Sequence, residues 1–131
     1  MPAELGADAG ASLYEPVVRS LSPLDLVLLG MGPDGHTASL FPGSDGLKEQ
    51  SRWVIPNWVE KFKTHRLTFT FPALNNAAEI IFMASGADKA DMVQQILEGK
   101  NTPPYPSQQV VPKEGKLIWM LDEAAGGKLA R

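Results

Sequence analysis

The chain of 131 residues contains no cysteine and only two histidines, which narrows the chemistry open to it. Without cysteine there is no disulfide, no thiolate metal ligand and no thiol nucleophile. His36 and His65 lie far apart in the sequence and lack the spacing of a metal-binding pair. The composition therefore predicts no metal site.

Blocks of charge and long apolar runs are also missing. The net charge is −3 with both signs interspersed and no basic stripe, so we do not expect a nucleic acid as partner. The apolar stretches are too short to span a bilayer, and no charged-then-apolar leader opens the chain. We therefore expect a cytoplasmic protein. At 44% hydrophobic residues, the chain has enough apolar surface for one α/β domain over residues 1–131.

Short apolar strands alternate with helices along the chain. Residues 24–29 are rich in branched aliphatics and are followed by a glycine, which is typical of a strand buried on both faces of a parallel sheet. Residues 80–84 and 117–121 predict further strands, and residues 87–98 form the clearest helical pattern. This alternation predicts an α/β fold with a Rossmann-like open, mainly parallel sheet and flanking helices.

A glycine-rich turn follows the first strand, in the sequence Gly-Met-Gly-Pro-Asp-Gly-His-Thr-Ala-Ser-Leu-Phe-Pro-Gly of residues 30–43. Function in parallel sheets collects at the carboxyl ends of strands. A short helix is expected to begin at His36 and to present its N-terminal N–H groups to an anion. Three glycines would give the turn its positive φ angles and bring its backbone close to a ligand, namely Gly30, Gly32 and Gly35.

Two other interpretations fit parts of this turn. The spacing Gly-x-Gly-x-x-Gly matches the dinucleotide-binding fingerprint. Pro33 removes a backbone donor from it, however, and Asp34 would place a carboxylate near a pyrophosphate, so a nucleotide is disfavoured. Alternatively, Asp34 and His36 only cap a helix and fill a surface turn.

Residues 30–43 resemble the signature of the 6-phosphogluconolactonases, which are pentose-phosphate-pathway enzymes related to glucosamine-6-phosphate deaminases. The resemblance continues in the same order through residues 66–75, 86–90 and 119–125. It covers nearly the whole chain but only the C-terminal part of the family's usual sequence. The expected fold is therefore truncated at its N-terminal side. Pro16 would also interrupt the helix that precedes the first strand.

The resemblance implies hydrolysis of a sugar-phosphate lactone without any cofactor. His36 would act as the general base and then as the acid, because the ordinary pKa of histidine lies close to working pH. Asp34 would orient the ring and stabilise its charged form. The N–H groups of the turn from Gly30 to Gly35 are candidates for binding the oxyanion.

Two cations are assigned to the sugar phosphate. Lys89 stands where the family carries a phosphate-holding lysine, although a solvated surface lysine is the plainer interpretation. Arg66 stands at the start of a predicted strand in which apolar and polar residues alternate, and its guanidinium could bind a phosphate through two hydrogen bonds.

Three further hypotheses remain open from the sequence. One is an isomerase or deaminase acting on an amino-sugar phosphate, and another is a non-catalytic half-domain that binds sugar phosphates. The third concerns the strand at residues 24–29, which would lose a neighbour in a truncated sheet. We therefore expect self-association through that exposed sheet edge, and an isolated chain with little activity.

Overall fold

The fold is an α/β arrangement in the computed structural model, which describes residues 1–130. Three strands form a parallel sheet in which the fourth strand of the chain lies between the first and the fifth, and the second and third strands form a separate antiparallel pair. The predicted mainly parallel sheet with flanking helices is confirmed. The strands are β1 (Leu26–Leu29), β2 (Val54–Val59), β3 (Thr64–Phe69), β4 (Glu79–Ala84) and β5 (Lys116–Leu121), and the helices are α1 (Ala7–Ser20), α2 (Phe71–Leu74) and α3 (Ala90–Glu98).

One face of the parallel sheet forms the core. Neighbouring side chains on a strand point to opposite faces, so alternate residues of β1 and β4 are buried. Trp119 of β5 stacks on Phe82 of β4, with 4.2 Å between ring centroids. Helix α3 covers the carboxyl end of the same face through Val93 and Ile96. The other buried residues that pack with Phe82 in this core cluster are Val27, Leu29, Leu40, Phe71, Leu74, Ala77, Ile80 and Val110.

The opposite face of this sheet is exposed, contrary to the prediction that β1 is buried on both faces. Leu26 and Leu28 are 51% and 58% exposed. Met83 on β4 and Met120 on β5 project from the same face and are each 53% exposed. Within residues 1–130, β1 pairs only with β4, so its outer edge is open.

Helix α1 packs on the antiparallel pair and runs through Pro16 without a break. The predicted interruption is wrong. Ala11 and Val18 are buried against Val54 of β2, and this packing keeps the segment helical despite the proline. The Glu15 carboxylate, next to the proline, accepts hydrogen bonds from two backbone N–H groups at the start of β2, each at 2.9 Å.

The segment after the glycine-rich turn is not helical. Ala38 has a φ of +50°, which no right-handed helix contains, and Thr37 pairs with Leu40 in an isolated bridge. The helix predicted to begin at His36 is therefore wrong, and this segment presents no helix N-terminus to a ligand at the turn. None of the helices in the described part of the chain has the length and apolarity needed to cross a membrane.

Candidate active site

Asp34 and His36 form a close pair just beyond the carboxyl end of β1. The Oδ1 of Asp34 lies 2.5 Å from Nδ1 of His36 and 3.2 Å from its backbone nitrogen. One carboxylate oxygen therefore holds both the imidazole and the main chain of His36. With Nδ1 occupied in this way, Nε2 is the ring nitrogen left for a substrate.

Two glycines of the turn are required by its geometry. Gly32 does not have the predicted positive φ, but a Cβ on it would lie 2.0 Å from Cε1 of His36, so only glycine allows the ring to rest on the backbone. Gly35 has a φ of +77°, which favours glycine, and a Cβ there would also meet the ring of Tyr105 at 2.8 Å. Gly30 shows neither constraint: its φ is not positive and nothing lies within 4 Å of a Cβ built on it.

The backbone donors of this turn are partly committed. The N–H of Gly32 donates to the carbonyl of His36 at 2.9 Å, and the N–H of Gly35 donates to the carbonyl of Gly32 at 3.0 Å. In this conformation both groups stabilise the turn and do not point toward a ligand. The contribution of these glycines is thus the close approach of backbone and ring.

An aromatic wall supports the imidazole. Phe41 stacks on His36 with 4.1 Å between centroids and 22° between the planes, and Phe62 meets Phe41 edge-on at 6.0 Å. Sequence reasoning did not assign a role to either phenylalanine. Phe41 lies within the glycine-rich motif, five residues after His36, and this proximity was the available signal.

The electrostatics favour an ionised carboxylate. Partial burial raises the pKa of the Asp34 carboxyl. The hydrogen bonds from the ring and backbone of His36 together lower it by more than burial raises it, so the pKa lies below the ordinary value of 3.8. Asp34 is therefore negatively charged at neutral pH. This negative charge lies directly beside Nδ1 of the His36 ring.

Clefts open on both sides of the pair. One, of about 400 Å³, is lined by Asp34, Phe41 and the β2–β3 hairpin residues Trp58 and Lys61. A more open one runs along the end of β1, past Met31 to His36. A ligand can reach the pair from the hairpin side or from the open edge of the sheet.

The two predicted cations lie in different places. Lys89 is half-buried at the start of α3, and its Nζ donates to the carbonyl of Met31 at 3.0 Å, which brings it to the glycine-rich turn. Arg66 is exposed on β3, with its guanidinium carbon 4.8 Å from the centroid of Phe62. It lines another cleft with Ser39 and Thr64. Lys89 therefore contacts the glycine-rich turn directly, whereas Arg66 lies against Phe62 of the β2–β3 hairpin.

Comparison with known protein families shows to which family this chain is related. Residues 1–119 match the family described as glucosamine-6-phosphate isomerases/6-phosphogluconolactonase. The chain belongs to this family. Its relatives within the glucosamine-6-phosphate isomerase/6-phosphogluconolactonase family include the human 6-phosphogluconolactonase, which is 46% identical over 129 residues. That match covers 93% of this chain and 50% of the human protein.

Further family members agree in sequence and in structure. The bovine 6-phosphogluconolactonase is 46% identical over 107 residues, covering 81% of this chain and 42% of the bovine protein. The solved 6-phosphogluconolactonase of Trypanosoma brucei superposes with a TM-score of 0.80 at 31% identity, covering 92% of this chain and 52% of that one. The chain thus spans about half the length of the relatives it matches.

Proposed function

We propose that this chain carries the lactone-opening centre of a 6-phosphogluconolactonase, which hydrolyses 6-phospho-D-glucono-1,5-lactone to 6-phosphogluconate. The observation that supports this most strongly is the contact of Asp34 with Nδ1 of His36 at the carboxyl end of β1, which leaves Nε2 open. A carboxylate-held histidine of this kind can pass a proton in both directions. No cofactor or metal is required by this chemistry.

The proposed reaction has two proton transfers. Nε2 of His36 takes a proton from water as the water oxygen bonds to the lactone carbonyl carbon. The resulting imidazolium is stabilised by Asp34. When the bond between the carbonyl carbon and the ring oxygen breaks, His36 returns the proton to that oxygen, and the open-chain acid leaves. Base and acid are then the same nitrogen at successive steps.

The sugar phosphate is proposed to lie near Lys89. Its ammonium group already reaches the glycine-rich turn through the carbonyl of Met31, and it carries two further N–H donors. Arg66 is a second candidate, because its guanidinium lies over Phe62, which meets Phe41 beside His36. Gly30, Gly32 and Gly35 would shape the binding surface through the backbone.

We further propose that the protein acts in the cytoplasm and that the 131-residue chain by itself is a weak catalyst that self-associates through the edge of β1. An edge strand with free backbone groups pairs readily with another chain. Positioning of the reacting groups accounts for much of an enzyme's rate, and this chain spans about half of each relative.

The test uses a chimaera, in which residues 1–119 replace the matching segment of the human relative. We expect the chimaera to open the lactone, and His36→Ala within it to lower kcat by about 10²- to 10⁴-fold after correction for spontaneous hydrolysis. Equal activity of the two chimaeras would refute the proposal. Release of ammonia from glucosamine 6-phosphate, without lactone opening, would assign the chain to the deaminase branch instead.

If the chimaera does not fold, a second measurement on the isolated chain tests the same site. The 131-residue chain is titrated with 6-phosphogluconate while its two histidine rings are followed by NMR. We expect the His36 signals to move more than those of His65, because His36 belongs to the proposed site and His65 lies outside the turn, on β3. Unchanged His36 signals at saturating ligand would contradict the assignment of the site.

A further inference from the structure

A distant segment holds the peptide unit that joins Gly35 to His36. The backbone N–H of Ser107 donates to the Gly35 carbonyl at 3.0 Å, and the Ser107 hydroxyl donates to the same oxygen at 2.9 Å. Ser107 is only 2% exposed and stands 72 residues further along the chain. One buried residue therefore supplies both donors to this carbonyl.

The other end of the same peptide unit reaches the catalytic pair. Its N–H is that of His36, which donates to Oδ1 of Asp34, the oxygen that also contacts Nδ1 of the ring. A peptide unit is planar, so holding its carbonyl oxygen also fixes the direction of its N–H. A rotation of this plane would weaken the bonds to Ser107 and to Asp34 together.

The segment that carries Ser107 is itself anchored. Ser107 lies in a 3₁₀ turn, Pro106–Gln109, whose Gln108 amide lies within 3.3 Å of three carbonyl oxygens at the end of α3. The Oε1 of Gln108 accepts the N–H of Tyr105 at 2.8 Å, and the Tyr105 ring covers Gly35. The turn connects the C-terminal end of α3 to the Asp34–His36 pair.

We infer that Ser107 is a positioning residue for the Asp34–His36 pair, acting through the Gly35 carbonyl. The inference rests on the proposed function of that pair. The Ser107 hydroxyl supplies the second of two donors, and without it the peptide plane is held by one bond. Hydrogen bonds weaken steeply as they bend, so a tilted plane loosens the contact between carboxylate and imidazole. The residue touches no reacting atom itself.

The first test follows the Asp34 carboxyl by carbon NMR during a pH titration of the full 131-residue chain. Because the bonds to His36 favour the ionised carboxylate, loosening them makes Asp34 a weaker acid. We expect Ser107→Ala to lower the acid dissociation constant of Asp34 by about twofold to tenfold. Ser107→Thr keeps a hydroxyl and should restore the wild-type value.

The matched control removes an equivalent hydroxyl elsewhere. Ser20 is exposed, and its Oγ donates to the carbonyl of Val17 at 2.8 Å. Ser20→Ala should leave the Asp34 titration unchanged. If Ser107→Ala lowers the melting temperature but leaves the Asp34 titration at its wild-type position, Ser107 is only a structural residue and the inference is wrong.

A replacement variant and a readout independent of catalysis separate the possible outcomes. Should Ser107→Ala fail to fold, Ser107→Cys fills nearly the same volume with a weak donor, and the same direction of change is expected. The titration reports on the pair whether or not a lactone is opened. A shifted titration together with an inactive chimaera would therefore refute the proposed function alone, whereas an unshifted titration would refute the role of Ser107.

Discussion

The carboxylate of Asp122 accepts the backbone N–H of Gly86 with both oxygens, each at 3.1 Å. This contact joins the end of β5 to the turn between β4 and α3. The Gly86 carbonyl in turn accepts the N–H of Lys89 at 3.1 Å. The start of α3 is thus fixed to the carboxyl edge of the sheet, and with it the lysine that reaches the glycine-rich turn.

Replacement of Lys89 tests its proposed contact with phosphate. In the chimaera, Lys89→Ala should weaken binding of the phosphorylated lactone by about 1.5–3 kcal/mol, because a hydrogen bond to a charged group is lost. The change should fall mainly on KM if the contact is equal in the ground and transition states. Steady-state kinetics with a phosphorylated and an unphosphorylated lactone measure it.

The control for this variant is Lys100→Ala. Lys100 is exposed beyond the end of α3, and its removal should leave both substrates unaffected. If Lys89→Ala impairs the unphosphorylated lactone equally, the lysine supports the turn through Met31 and does not bind phosphate.

Removal of the charge on Asp34 tests its proposed effect on the imidazolium. Asp34→Asn in the chimaera should reduce kcat by about 10²- to 10⁴-fold, because the amide neither stabilises the charged ring nor fixes its tautomer. Asp8→Asn changes an exposed carboxylate on α1 and should have no effect on turnover. An Asp34→Asn chimaera with normal kcat would exclude the proposed role of this carboxylate.

Glu15 provides a prediction about stability. Burial raises the pKa of its carboxyl, but hydrogen bonds from the Val54 N–H, the Arg19 side chain and the Trp53 N–H outweigh this, and the net pKa is lowered from 4.5. A lowered pKa in the folded state stabilises the fold above pH 4.5, and this contribution disappears as the pH falls through the folded-state pKa.

We therefore expect Glu15→Gln to lower the free energy of unfolding by about 1–2 kcal/mol at pH 7, since hydrogen bonds to a charged acceptor are weakened. The difference from wild type should shrink below pH 4.5. Urea unfolding across this pH range measures both effects. Glu114→Gln alters an exposed carboxylate and serves as the control. A difference that stays constant down to acid pH would contradict this account.

The exposed edge and face of the parallel sheet lead us to expect self-association of the chain in solution. Leu28→Lys places a charge on β1, and charged side chains on edge strands oppose pairing with another chain. We expect this variant to shift the 131-residue chain toward monomer in sedimentation experiments at several concentrations. Leu13 on α1 is exposed to nearly the same extent, 57% against 58%, and Leu13→Lys should leave the association unchanged. Equal effects of the two variants would show that the chain does not self-associate through the edge of the sheet.

Features that depend on neighbours in sequence could be predicted. Strand β4 follows from its short apolar run and helix α3 from its apolar periodicity, although residues 87–89 of the predicted helix form a 3₁₀ turn. The pairing of Asp34 with His36 needs only two residues around a glycine. The length of β2 could not be obtained in this way, because a proline disfavours the interior of a strand and yet β2 continues through Pro56. Pro56 is tolerated because β2 has a single partner strand within residues 1–130.

By itself, the sequence determined the α/β alternation, the family and the two residues of the candidate pair, Asp34 and His36, since each depends on local spacing and residue type. Tertiary structure alone decided which side chains surround that pair. The bonds from Ser107 to Gly35 and from Lys89 to Met31 join segments 72 and 58 residues apart. The tertiary structure also decided that Leu26 and Leu28 face outward from the sheet. Contacts of this range depend on how strands and helices pack, and no local periodicity specifies a partner so distant in the chain.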